Sequence, residues 1–165
     1  MSVATMRVVP TSGALGAELL DIDLAQPVTP ATSKAILGAL AEHGVIFFRD
    51  QKITPEQHIA FAESLATINI NRFFRAVDGY PKIAEVRKEP EQTRNIGGRW
   101  HTDHSYDQIP ALCSVLLARE VPPRGGDTLF ASMWQAYDAL SGGLDRKSTR
   151  LNSSHVSESR MPSSA

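Results

Sequence analysis

A mainly β domain with helices packed on its outside is the fold class this sequence predicts, on three observations. The chain has 165 residues, the length of one ordinary domain with its own core. Short β-rich runs outnumber helical stretches, and strands and helices do not alternate in a βαβ rhythm. That combination favours a β-sandwich or barrel.

Met6 to Pro10 and Ala17 to Leu24 are short mixed apolar stretches, broken by Gly13, Gly16 and Pro27, and read as strands. Thr29-Pro30 is a helix start, a hydroxyl cap followed by proline in the first turn. Ile36, Leu37 and Leu40 then recur at helical spacing until Gly44, a natural left-handed stop. Val45 to Phe48 is too short for a helix and predicts a buried strand. Thr54-Pro55-Glu56-Gln57 is a capping box, and the helix it opens through Leu65 carries Phe61 and Leu65 on one face. Asn69 to Tyr80 reads as a long loop, Ile83 to Arg87 as a strand, and Glu89 to Arg99 as a second loop. Loops of that length inside a domain are more often functional than structural. Leu112 to Ala118 predicts a strand ended by Pro122-Pro123, and Gly125-Gly126 a turn into Thr128-Leu129-Phe130. Ser132 with Gln135 caps a helix through Leu140.

Composition narrows the function class. Hydrophobic residues make up 42% and charged residues 21%, as in globular proteins, and the net charge of −1 gives no field to attract nucleic acid or an anionic membrane. No apolar run is long enough for a membrane helix, and the first residues lack the layout of a secretory signal. The one cysteine, Cys113, forms no intramolecular disulfide, which fits a reducing, cytoplasmic setting. The last segment breaks the pattern. From Lys147 to Ala165 it holds no aromatic residue and seven serines, a composition that buries too little surface to order itself. We expect residues 1–145 to be the domain and 146–165 a disordered or non-native tail.

The chemistry centres on Trp100-His101-Thr102-Asp103. On an extended segment, residues two apart face one way, so His101 and Asp103 present an imidazole and a carboxylate to one point. A borderline nitrogen with a hard oxygen suits non-haem iron(II), whose sites use two histidines and one carboxylate and leave three positions open. His-x-Asp alone is a weak signal, equally read as an exposed, hydrogen-bonded histidine. Of the other candidates, His104 faces the opposite side and His43 sits at a helix end, suited to the last carbonyls. His58 reads as a surface residue of its helix, and Cys113 as inert packing. Trp100 packs either beneath the metal segment or in the core, and Asp107 and Asp127 serve turns or caps.

The surroundings add weight. Asn95-Ile96-Gly97-Gly98-Arg99-Trp100-His101-Thr102-Asp103-His104-Ser105-Tyr106 resembles the metal-binding segment of the taurine dioxygenase (TauD/TfdA) family. Pro122 to Phe130, with Gly125-Gly126-Asp127-Thr128, resembles that family's Gly-Gly-Asp-Thr segment. Val45 to Gln51 with Ile53-Thr54-Pro55 is similar to its opening unit. The resemblance runs from about Val8 to Leu144. It implies part of a double-stranded β-helix, or jelly roll, truncated before completion. It further implies an iron(II)- and 2-oxoglutarate-dependent dioxygenase that uses O2, hydroxylates a small organic substrate and releases succinate and CO2. His101 and Asp103 match its metal ligands, and Thr128 matches the threonine that helps hold 2-oxoglutarate.

Two family parts lack a match: a third, histidine ligand far downstream, and an arginine whose planar fork pairs with the far carboxylate of 2-oxoglutarate. The later His155 and Arg160 lie in the serine-rich tail, outside any such context. Asn71 and Phe74 stand where taurine-using members contact the sulfonate, and Gly97 replaces a loop asparagine. Asn71 and Phe74, with Phe73 and Arg75, are candidates to line a substrate pocket, and Arg72, Arg75 and Arg99 suit an anionic substrate. Two other classes stay open: a zinc-dependent hydrolase built on His101 and Asp103, and a catalytically silent β-domain that binds a partner. The partner expected is a small molecule, not nucleic acid or membrane. A homo-oligomer is an assembly open to the complete protein.

Overall fold

A computed structural model describes residues 6–11, 15–103 and 105–144. The expectations for His104, His155, Arg160 and the tail lie outside these residues.

β1 (Arg7–Pro10) and β2 (Ala17–Leu20) pair antiparallel, with Arg7 opposite Leu20 and Pro10 opposite Ala17. β2 buries Ala17 and Leu19 and leaves Glu18 and Leu20 half-covered, the alternation of a strand with one face on a core. α1 (Pro30–His43) starts as predicted: the Thr29 hydroxyl accepts the Thr32 N–H at 3.2 Å and Pro30 occupies the first turn. It ends at Gly44, whose φ is 69° and whose N–H donates to the Leu40 carbonyl at 2.8 Å. A Cβ on Gly44 would lie 2.7 Å from Leu15 Cδ2, so conformation and space both call for glycine.

Gly44 turns the chain into β3 (Ile46–Phe47), which pairs parallel with β2. One β-α-β crossover is therefore present where the sequence predicted none. The Val45–Phe48 run, expected to be a buried strand, pairs over two residues and is only half-buried. It is the last strand in the order β1-β2-β3, so no further strand among the described residues covers its far edge.

α2 (Pro55–Leu65) carries the full capping box: the Thr54 hydroxyl accepts the Gln57 N–H at 3.3 Å and Gln57 Oε1 accepts the Thr54 N–H at 2.8 Å. Gln57 Nε2 also donates to the Ala25 carbonyl at 3.0 Å, tying the helix start to the segment after β2. Phe61 is buried and meets Phe48 edge-on with centroids 5.7 Å apart, while Leu65 packs at the rim. Leu19, Ile36 and Phe61 thus bring β2, α1 and α2 into one core.

A second sheet pairs β4 (Ala76–Val77) with β5 (Tyr80–Ala84) across the Asp78-Gly79 turn, where Gly79 has φ 80°. The stretch predicted as loop thus contains a strand, and the strand predicted at Ile83–Arg87 begins earlier. Asp-Gly between apolar flanks is a hairpin signal, and the turn sets the register before Ile83 is reached. The Tyr80 hydroxyl donates to Glu56, and Lys82 pairs with Glu63, joining β5 to α2.

Residues 112–118 alternate as a strand should: Cys113, Val115 and Leu117 are half-buried, and Ser114 and Leu116 are exposed. Val115 and Leu117 pack on the core. No ladder forms there among the described residues, so the predicted strand is absent, because a strand exists only with a bonded neighbour. α3 (Met133–Asp138) is capped by Ser132, whose hydroxyl accepts the Gln135 N–H at 3.2 Å, but it ends before Leu140 and buries none of its residues. Small sheets with helices make up the described fold, five strands and three helices among the described residues. No helix among them is long and apolar enough to cross a membrane.

Candidate metal centre

His101 and Asp103 come together as the spacing predicts. The segment carrying them is not a regular strand but an irregular stretch bent at Asp103. Its shape is set just upstream, where Gly97 has φ 69° and the Gly98 N–H donates to the Asn95 carbonyl at 3.3 Å. A Cβ on Gly97 would stand 3.2 Å from His101 Cε1, so the imidazole occupies space that a larger residue would contest.

The imidazole is oriented by the backbone. His101 Nδ1 lies 2.7 Å from the Arg99 carbonyl oxygen, which only accepts, so Nδ1 carries the proton. Nε2 faces Asp103 Oδ1 at 3.2 Å. In the neutral ring Nε2 bears a lone pair, and a lone pair opposite a carboxylate oxygen repels unless a cation lies between them. A proton on the ring or a metal ion satisfies that demand. With bonds of about 2.1 Å, two adjacent ligands of one metal stand about 3 Å apart, close to the separation observed. One imidazole nitrogen and one carboxylate oxygen form a donor set that fits iron(II). Asp103 Oδ2 accepts the Ser114 hydroxyl at 3.0 Å, a contact that sequence reasoning missed. A lone serine eleven residues downstream in an apolar run gives no local signal.

Among the described residues no group of three or more His, Cys, Asp and Glu side chains gathers around a possible metal position. Both side chains of the pair are about half-exposed. A shallow surface groove lies elsewhere, between β1 and α1, lined by Met6, Val8, Pro10, Gly38 and His43 among others.

The loop expected to line a substrate pocket is tied to this segment. Arg72 pairs with Asp107 at 2.8 Å, four residues beyond Asp103, and its guanidinium lies 5.4 Å from the Phe73 ring centre. Asp107 therefore does more than serve a turn. Asn71 Oδ1 accepts the N–H groups of Phe73 and Phe74 at 2.8 and 3.1 Å, so this oxygen caps a turn. Phe74 is 37% exposed. Arg75 pairs with Asp78 at 2.9 Å. Thr128 is exposed on the extended segment after Gly126, and no hydrogen bond among the described residues links it to His101 or Asp103. Trp100 is 70% exposed and packs in neither predicted place. His58, expected at the surface, is half-buried, and Cys113 is half-buried with its thiol pushed up by burial, as inert packing predicts.

The sequence matches the family described as taurine catabolism dioxygenase TauD, TfdA family over residues 7–163. The chain belongs to the TauD/TfdA family. It is 32% identical over 150 residues to the alpha-ketoglutarate-dependent sulfate ester dioxygenase of Pseudomonas putida, covering 90% of this chain and 49% of that protein. It is 34% identical over 154 residues to the alpha-ketoglutarate-dependent 2,4-dichlorophenoxyacetate dioxygenase of Cupriavidus pinatubonensis, covering 82% and 53%. The crystal structure of a taurine dioxygenase from Burkholderia xenovorans superposes with a TM-score of 0.67 at 30% identity, covering 86% of this chain and 50% of that one. The chain thus spans about half the length of the curated relatives it matches. TauD/TfdA enzymes depend on iron(II) and 2-oxoglutarate and use O2.

Proposed function

We propose that the complete protein is an iron(II)- and 2-oxoglutarate-dependent dioxygenase that hydroxylates a small anionic organic substrate, with His101 and Asp103 as two of its metal ligands. One observation carries this reading: the hydrogen bond to the Arg99 carbonyl leaves His101 Nε2 facing Asp103 Oδ1 at 3.2 Å, the spacing of two adjacent ligands of one metal, which a ring proton or a metal ion between them satisfies. Family membership then favours iron over the zinc of a hydrolase. Bound iron would supply oxygen activation coupled to the conversion of 2-oxoglutarate and O2 into succinate, CO2 and a hydroxylated product. The chain's own residues hold and orient: the Arg99 carbonyl fixes the His101 ring, and Thr128 contacts 2-oxoglutarate. The third ligand and the 2-oxoglutarate arginine lie beyond the described residues. On this reading residues 1–145 are the N-terminal part of a jelly roll, the fragment is inactive alone, and the enzyme works in the cytoplasm.

An anionic substrate is favoured because both named relatives act on compounds that are anions at neutral pH, a sulfate ester and a phenoxyacetate. Arg72 and Arg75 are already paired with carboxylates, which leaves Arg99, two residues before His101, as the arginine best placed to meet one. Asn71 and Phe74 remain the substrate-side candidates, Phe74 through its ring.

In the complete protein, His101→Ala or Asp103→Ala should abolish succinate formation from 2-oxoglutarate, while Asp103→Glu keeps a trace. Wild-type turnover in either alanine variant would remove that residue from the site. Taurine should be a poor substrate, since Asn71 and Phe74 stand where taurine-using members contact the sulfonate. Oxygen uptake with sulfonates, sulfate esters and carboxylates decides this point, and efficient release of sulfite from taurine would sink it.

A further inference from the structure

We propose that Ser114 is a positioning residue for the metal site, its hydroxyl holding Asp103 so that one carboxylate oxygen is presented beside His101 Nε2. The inference rests on the reading of His101 and Asp103 as metal ligands. Among the described residues each of the two has one outer anchor. Nδ1 of His101 is held by the Arg99 carbonyl at 2.7 Å, and Oδ2 of Asp103 by the Ser114 hydroxyl at 3.0 Å. Without its anchor, the half-exposed Asp103 side chain rotates freely about its own bonds, and Oδ1 loses its fixed place 3.2 Å from the imidazole.

The anchor itself is held by the core. Val115 and Leu117 pack against the buried cluster, and strand-like alternation sends Ser114 to the opposite face, where Asp103 lies. A ligand carboxylate held in this way by an outer hydrogen bond is already oriented before metal arrives. With Oδ2 engaged by Ser114, Asp103 offers one oxygen and fills one coordination position, leaving others for cosubstrate and oxygen.

The test uses cobalt(II) alone, titrated into the 165-residue chain and followed by the shift and broadening of the His101 imidazole resonances. Ser114→Ala should weaken the apparent Kd by about tenfold, the lower end of what removing such a partner does elsewhere. Its thermal midpoint should stay that of wild type, because Ser114 is exposed. Ser114→Thr, which keeps the hydroxyl, should restore the Kd to within about twofold of wild type. Asp103→Ala should remove binding. If Asp103→Ala removes binding while Ser114→Ala binds as wild type, the proposal is overturned and the two-ligand reading stands. A tenfold loss in Ser114→Thr as well overturns it too, since the hydroxyl would not be what matters. Binding indifferent to Asp103→Ala overturns both.

Discussion

His58 sits on α2 half-buried beneath the 112–118 segment, and its surroundings act on its proton. Burial lowers its pKa from the ordinary 6.5, a hydrogen bond to the Val115 backbone opposes this, and the charge of Arg119 adds to the lowering. Above 6.5 the ring is neutral folded and unfolded, so no stability depends on it. As pH falls through 6.5 the unfolded chain takes up the proton first, and the folded state loses stability until its own lower pKa is passed. Between about pH 7.5 and 5 the thermal midpoint should therefore fall more steeply in wild type than in His58→Gln. Parallel slopes would show that the ring does not feel the burial. The contrast with His101 is instructive. A histidine two residues from an aspartate within a Trp-His-x-Asp stretch was legible as a site residue, whereas the burial of His58 depends on a segment more than fifty residues later, which helical spacing cannot reveal.

At the scale of elements, the helix starts were readable because capping is local chemistry. Thr29, Thr54 and Ser132 each accept the N–H three residues on, as a hydroxyl before a helix should. Gln57 goes further, since it completes the box and also reaches the Ala25 carbonyl. Thr54→Ala should lower unfolding free energy by about 1 kcal/mol, and Gln57→Ala by about 2 kcal/mol, because it loses a long-range bond as well. Denaturant melts of the two variants make the comparison. Equal losses would mean that the tie to Ala25 contributes nothing. Strands were less readable than helices. The Asp78-Gly79 turn decided the register of β5, and the alternation at 112–118 was present in the sequence, yet a ladder needs a partner that periodicity does not name.

Across the whole molecule, apolar side chains divide sharply. Ile36 is fully buried and Phe61 nearly so, while Leu116, Val121, Leu129 and Met133 are each about 70% exposed, at 76%, 72%, 74% and 68%. So large an exposed apolar surface favours association in water. The 165-residue chain on its own should bind a hydrophobic dye such as ANS and elute from a sizing column as more than a monomer. A monodisperse monomer that leaves the dye dark would contradict this. The same chain, titrated anaerobically with iron(II) and 2-oxoglutarate, should lack micromolar binding, because only two protein ligands gather among the described residues. Micromolar binding lost on His155→Ala would instead assign the third ligand to the serine-rich segment.

By itself the sequence determined what local chemistry controls: the capped starts of α1 and α2, the glycine stop at Gly44, and the nomination of His101 and Asp103 through a motif with family context. Tertiary structure alone decided the rest. It brought Ser114 to Asp103, set Arg72 against Asp107, buried half of His58 and left Trp100 outside. The physical reason is the range of the forces. Caps, turns and a two-residue ligand spacing are satisfied within a few bonds of the backbone, while burial and cross-chain hydrogen bonds depend on which distant segments the packed core brings together.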